Sequence, residues 1–216
     1  MKRYRALADR RERDSLSAHF RRKRAAHFLA LLAEIPRPVR ILDVGGEEAF
    51  WDVIGTEPGL DILLVNIEPQ TPRGTNVRFA LADARNLAEF GDGSFDLVVS
   101  NSVIEHVDDP AAMAREIQRV GRHFYVQTPN KWFPIEPHFL VPFFQFLPRA
   151  ARAWLLTRFD LGWLTRSPDR EHARAVVASI NLLGARELRA LFPRARLWRE
   201  RFFGLTKSLV VFGGWN

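Results

Sequence analysis

Apolar residues fall along the chain in short blocks whose spacing switches between strand-like and helix-like. Val39 to Val44 forms a run with one arginine and one aspartate in it, predicts a buried strand, and ends on the pair Gly45-Gly46. Helical spacing follows at Ala49, Phe50, Val53 and Ile54, so the pattern is strand, tight turn, helix. Glycines directly after a strand let the backbone reach positive φ and let a ligand approach main-chain N–H groups. Further strands are predicted at Ile62–Val65, Val77–Ala80, within Ser94–Ser102, and at His123–Val126. Between the last two, Asp109 and Pro110 are placed to cap and open a helix over Ala111–Val120. Strands alternating with helices in this way predict an α/β fold built on a mostly parallel sheet. Ligands of such sheets bind outside the carboxyl ends of the strands.

Composition narrows the class. The chain has 216 residues, 47% of them apolar and 26% charged, as expected for one soluble globular domain spanning residues 1–216. It has no cysteine, which excludes disulfides and thiolate metal sites. A cytoplasmic location is the expectation. The net charge of +7 is uneven: residues 1–24 carry ten Lys and Arg against three Asp and Glu, whereas residues 25–216 carry 22 of each. The basic arm ends in Arg21-Arg22-Lys23-Arg24, and the apolar positions after it predict an amphipathic helix with Phe20, Phe28, Leu31 and Leu32 inward and the arginines solvated. Residues 1–14 lack apolar periodicity and are expected to be mobile and dispensable. No run approaches the roughly 18 apolar residues of a membrane span.

The ordered series ILDVGG, NIEP, ADARNL, SFDLVVSNSVIEHV and YVQTPN resembles the class I S-adenosylmethionine-dependent methyltransferases, most closely the small bacterial ones of the methyltransferase-11 type. The resemblance is good over residues 37–130 and moderate from Leu183 to Phe212. It implies a Rossmann-like, seven-stranded, mostly parallel sheet with an antiparallel last strand, helices on both faces, and S-adenosyl-L-methionine as cofactor. Leu197–Phe203 and Ser208–Phe212 suit the closing antiparallel pair, after a helix at Ala185–Phe192. By the same resemblance Asp43, Gly45 and Gly46 hold the methionine end of the cofactor, Glu68 with Asn66 the ribose, and Asp83 the adenine amine. Ser100 and Asn101 line the floor near the sulfonium. Two features depart from the family pattern. The glycine turn reads Gly45-Gly46-Glu47-Glu48-Ala49, and the ribose acid after strand two is displaced from Asn66 to Glu68.

The stretch from Gln127 to Leu147 should decide the acceptor. It follows strand five, is too rich in proline for one regular helix, and interleaves polar groups with Trp132, Phe133, Phe139, Phe143, Phe144 and Phe146. From there to Trp163 the chain reads as helical and apolar, and residues 131–175 together are expected to form a helical lid over the acceptor side. Core packing and contact with lipid are the other readings of that apolarity. Among the histidines, His106 and His138 stand where a general base is needed, with Glu136 placed to orient His138 or to act itself. His19, His27, His123 and His172 read as structural. Glu105, His106, Asp108 and Asp109 have no specific metal-ligand spacing, and no metal is expected.

The function these expectations compose is methyl transfer from S-adenosylmethionine to an O or N atom of a small molecule. Two alternatives remain. One is a catalytically inactive scaffold of the same fold, to which Glu47 and Glu48 point. The other is an RNA methyltransferase using the basic arm, against which stands the neutral charge of residues 25–216. Nucleic acid is therefore not the expected partner, while peripheral contact with anionic lipid is kept as a reading of the arginines around the aromatic segment.

Overall fold

The computed structural model describes residues 16–215. The expectation made for residues 1–14 lies outside them. Helix α1 (Leu16–Leu32) leads into β1 (Val39–Val44), α2 (Glu48–Ile54), β2 (Leu60–Asn66) and β3 (Val77–Leu81). Then come β4 (Phe95–Asn101), a 3₁₀ turn (Ile104–His106), α3 (Pro110–Val120) and β5 (Gly121–Pro129). The chain continues through a 3₁₀ turn (Phe144–Phe146), α4 (Arg149–Arg158), α5 (Arg170–Ala178) and α6 (Ala185–Leu191), and closes with β6 (Arg196–Phe202) and β7 (Leu205–Gly213).

The strands form one seven-stranded sheet in the order β3-β2-β1-β4-β5-β7-β6. β1 pairs in parallel with both β2 and β4, so the strand order reverses beside it. β7 runs antiparallel to β5 and β6, as the resemblance implied. At a reversal the flanking connections leave to opposite faces and open a crevice at the carboxyl ends of the strands. Asp43 sits there, in register with Leu64 of β2 and Val99 of β4.

Alternation along the strands builds two cores. Ile41, Ile62, Leu64 and Val99 pack with Phe28, Leu31 and Leu32 of α1 and Trp51 of α2. On the opposite face Leu42, Val44 and Val98 meet Met113 and Ile117 of α3 and Leu188 of α6. Continuous apolar runs mark strands covered on both faces, which is why β1, β2 and β4 stood out in the sequence. The Asp109 side chain accepts from the Ala112 N–H at 2.9 Å, and Pro110 opens α3 as expected.

After β5 the structure departs from the expectation of a helix running to Trp163. Helical geometry is confined to Arg149–Arg158, and residues 159–164 form a turn closed by the Leu161–Leu164 bridge. α4 and α5 share a third cluster with Phe139, Phe144, Leu156, Leu161, Ala173 and Val177. Trp154, Phe159 and Trp163 stay exposed, so apolar density there does not translate into burial.

Candidate functional site

The turn after β1 is shaped by contacts that only glycine allows. Gly45 has φ +72°, its N–H donates to the Val65 carbonyl at 2.7 Å, and an added Cβ would stand 2.5 Å from a Val103 methyl. A Cβ on Gly46 would collide with the Asp43 carboxylate. Asp43 itself is buried. Its Oδ2 accepts from the Trp51 indole N–H at 2.8 Å, while Oδ1 has no protein partner. Burial pushes the carboxyl up to about 7 against the Trp51 hydrogen bond, with the nearby Glu47 charge adding to the rise. An unpartnered buried carboxylate oxygen facing a cavity calls for a cationic donor.

That cavity has a volume of about 1010 Å³. Asp43, Gly45, Gly46, Glu47, Asn101 and His106 line one part of it. Phe28, Tyr125, Phe133, Phe202 and Lys207 line another, under α1. Glu48 does not intrude: its carboxylate accepts from the Arg73 and Gly74 backbone N–H groups at 3.1 and 2.9 Å and pairs with the Arg73 guanidinium. Glu47 remains exposed on the cavity wall.

The other residues expected around the cofactor are distributed as follows. Asn66 donates from its side chain to the Gly45 carbonyl at 3.4 Å and accepts from the Glu68 N–H at 3.2 Å, with the Glu68 side chain exposed. Asp83 is held by Arg85 of its own loop at 2.7 Å, and these hydrogen bonds keep its carboxyl below the usual range. Ser100 is buried and donates to the Val44 carbonyl at 3.0 Å, so it secures the β1–β4 junction from inside. Asn66, Glu68, Asp83 and Ser100 are not on the cavity wall; Asn101 is.

The proposed acid–base residues converge although 32 positions separate them in sequence. His106 and His138 face one another through their Nε2 atoms at 3.2 Å, with rings nearly perpendicular at 87°. His138 Nδ1 bonds Glu136 Oε1 at 2.6 Å, and the buried Glu136 also accepts the His138 and Phe139 backbone N–H groups. His106 Nδ1 lies 3.3 Å from the Ser179 carbonyl. Partial burial of its ring, with the His138 charge beside it, lowers the pKa of His106. Next to this pair Glu105 is fully buried; Oε2 accepts from Thr128 Oγ1 at 2.9 Å and Oε1 has no protein partner. Burial lifts its carboxyl to about 7.

Two wall or support residues escaped sequence reasoning, and a third, Glu105, was read there only as an acid without metal-ligand spacing. Trp51 anchors Asp43 from α2, and its only signal was its place on the helix after the glycine turn. Glu105 adjoins His106, but its burial depends on Thr128 across the sheet. Lys207 is drawn into the cavity wall by the β6–β7 hairpin, and burial lowers its ammonium to about 8.

A family model for a methyltransferase domain matches residues 17–195. The chain belongs to the methyltransferase domain family. A 2-methyl-6-phytyl-1,4-hydroquinone methyltransferase of Synechocystis sp. is 34% identical over 98 residues, 41% of this chain and 30% of that protein. An uncharacterized protein of Mycobacterium tuberculosis is 32% identical over 130 residues, 52% of this chain and 43% of that protein. This methyltransferase family member thus spans under half the length of these curated relatives. Among solved structures, the N-terminal domain of EvdMO1 with S-adenosylhomocysteine bound superposes with a TM-score of 0.55 at 21% identity, covering 89% of this chain and 80% of that one. The PH0226 protein of Pyrococcus horikoshii gives 0.54 at 17% identity, covering 98% and 97%. At such identities the likeness concerns the fold. The family match and the fold together bear out the expectation of a methyltransferase domain built on a Rossmann-like sheet.

Proposed function

We propose that this chain transfers a methyl group from S-adenosylmethionine to an oxygen or nitrogen atom of a small-molecule acceptor. The observation that carries the reading is the unpartnered, buried Asp43 Oδ1 at the glycine turn, facing a cavity of about 1010 Å³. An amino acid ammonium satisfies that oxygen, and the absence of a Cβ at Gly45 and Gly46 leaves room for the group beside it. When bound, the cofactor supplies an already electrophilic methyl carbon on its sulfonium. The family resemblance assigns Asn66 and Glu68 to the ribose and Asp83 to the adenine, which would extend the cofactor beyond the cavity wall, where Asn101 stands beside the sulfonium.

What the protein must add is alignment: holding a nucleophile about 3 Å from the methyl carbon removes much of the entropic barrier. Tyr125, Phe133 and Phe202 offer an apolar acceptor chamber with the cationic side chains of Arg21, Arg24 and Lys207 on its wall. A hydroxyl acceptor releases its proton to the His106–His138 pair, where Glu136 behind His138 orients that ring. An amine acceptor needs only its free lone pair. In this reading residues 1–216 form one methyltransferase domain, with 131–175 closing over the acceptor.

S-adenosylhomocysteine should bind the full chain at micromolar concentration and raise its melting temperature. Asp43→Ala and Gly45→Val should each abolish the shift. No shift at millimolar ligand would leave the inactive scaffold as the better account. In single-turnover assays with an acceptor found by screening, His138→Ala should slow transfer at least tenfold, about 1.4 kcal/mol in barrier. Unchanged turnover in both His138→Ala and His106→Ala would leave catalysis to alignment alone.

A second reading of the partners, peripheral contact with anionic lipid, is favoured by the exposure of Trp132, Phe143, Phe146, Trp154, Phe159 and Trp163 on a single chain segment. No described helix is long and apolar enough to cross a membrane.

A further inference from the structure

The facing imidazoles pose a problem of protons. His138 Nδ1 is committed to a carboxylate, which accepts and cannot donate when ionised, so Nδ1 carries the hydrogen. His106 Nδ1 points at the Ser179 carbonyl, another pure acceptor, and the same assignment follows. Each neutral ring then turns a bare Nε2 lone pair toward the other, across only 3.2 Å. Two lone pairs at that separation repel, and a cation between them removes the conflict.

A third group faces the same point. The ligand atoms of Glu105, His106 and His138 all lie within 4.8 Å of one another. Glu105 is fully buried, and its Oε1 has no protein hydrogen bond. Two imidazole nitrogens bound to one tetrahedral zinc ion at about 2.0–2.1 Å stand about 3.3 Å apart, close to the observed separation. The supporting contacts also match. Histidine ligands usually give their other ring N–H to a carboxylate or a backbone carbonyl, and here Glu136 and Ser179 occupy those places.

We infer that Glu105, His106 and His138 form a binding site for one divalent transition-metal ion, of which Zn²⁺ is the best fit. Two imidazoles and one carboxylate leave a fourth position, and His106 brings that position to the cavity wall. The site deepens the proposed function and rests on it for its consequence: the open position takes a water or an acceptor oxygen and lowers its pKa. Sequence spacing could not reveal it. Glu105 and His106 are adjacent, but the third ligand arrives from the loop after β5, and the Ser179 support from the end of α5.

The test uses the full 216-residue chain without a histidine tag, stripped with chelator and dialysed. Zn²⁺ is titrated in competition with a chromophoric chelator, and Co²⁺ substitution is followed in the visible spectrum. One equivalent bound with submicromolar affinity, and a tetrahedral Co²⁺ absorption band, are expected. His106→Ala, which removes an exposed side chain and whose loss the fold tolerates, should weaken Zn²⁺ binding at least about 100-fold, as should His138→Ala. Glu136→Gln should weaken it about tenfold through the orientation of His138. Wild-type affinity in His106→Ala, or well under one equivalent bound by the wild type, would overturn the site and leave the two rings sharing a proton. S-adenosylhomocysteine titrated into the same preparations reads the cofactor cleft independently, so failure of the metal site and failure of the methyltransferase reading leave different records.

Discussion

Asp43 is costly to the protein that carries it. Its folded-state pKa of about 7 lies above its ordinary value of 3.8, so the sign of the linkage is fixed. Below the ordinary value both folded and unfolded chains hold the proton and stability is unaffected. Between that value and about 7 the unfolded chain releases the proton and the folded one keeps it, so stability falls as pH rises. Above that range the penalty is complete, at most about 4 kcal/mol. Glu105, lifted to about 7 by burial, adds a slope of the same sign. Asp43→Asn should therefore flatten part of the decline and melt above the wild type at about pH 8. An ammonium ligand reverses the balance, since it needs the ionised carboxylate. Affinity for S-adenosylhomocysteine should rise from about pH 5 to about pH 7 in the wild type, and the better-folded Asn variant should lose it. Thermal melts and calorimetry across that range check both, and a pH-independent affinity would remove Asp43 as the partner of the ammonium. The Asp43 carboxylate could be picked out from its position before Gly45-Gly46. Its environment could not, because the Trp51 indole reaches it only after α2 folds back onto the sheet.

At the scale of elements, what could be read in advance follows from how each segment is covered. β1 was placed at Val39–Val44 and is found there, because a strand buried on both faces leaves a continuous apolar run. α3 was legible from its cap. α4 falls inside the stretch that reads as helical, but its end at Arg158 and the separate α5 were not legible, because α4 buries Ala153 and Leu156 and leaves Trp154 in solvent. The N-terminal helix shows the same limit in another form. Phe20, Phe28, Leu31 and Leu32 are buried as expected, but Arg24 is not simply solvated. Its Nη1 bonds Oε2 of the fully buried Glu200 on β6 at 2.8 Å, which pins α1 across the cavity to the edge of the sheet. Nothing local to either residue announces a pair separated by 176 positions. Removing the guanidinium leaves a buried carboxylate unpaired, a loss on the order of 3 kcal/mol. Arg24→Ala should lower the melting temperature by roughly 6–12 °C for a chain of this size. Adding Glu200→Leu to an Arg24→Met background should recover most of it, because an apolar pair needs no counter-charge. A single variant melting within about 2 °C of the wild type would show that the pair does not hold the helix.

For the molecule as a whole, charge and exposed aromatic surface are separable, and membrane contact can be dissected accordingly. Residues 25–216 are neutral, so long-range attraction to an anionic surface has to come from the first 24 residues. Within that arm Arg24 is committed to Glu200, and residues 2–14 supply six Lys and Arg against three Asp and Glu. The aromatic contribution is independent of the arm: Trp154 and Trp163 are 50% and 45% exposed on the segment after β5. Burying about 80 Å² of apolar ring at each would contribute about 2 kcal/mol per residue. Vesicles of phosphatidylcholine with phosphatidylglycerol should therefore sediment the full chain, and the bound fraction should fall with salt. Deleting residues 2–14 should remove much of that salt dependence and leave weaker, salt-insensitive binding. The double variant Trp154→Ala/Trp163→Ala should weaken binding at least about tenfold while retaining the salt dependence. If the deletion alone abolishes sedimentation and the double variant binds like the wild type, the arm is the lipid contact and the aromatic face has another use. If the wild type fails to sediment even at low salt, lipid contact is excluded and the exposed aromatic segment serves the acceptor side alone.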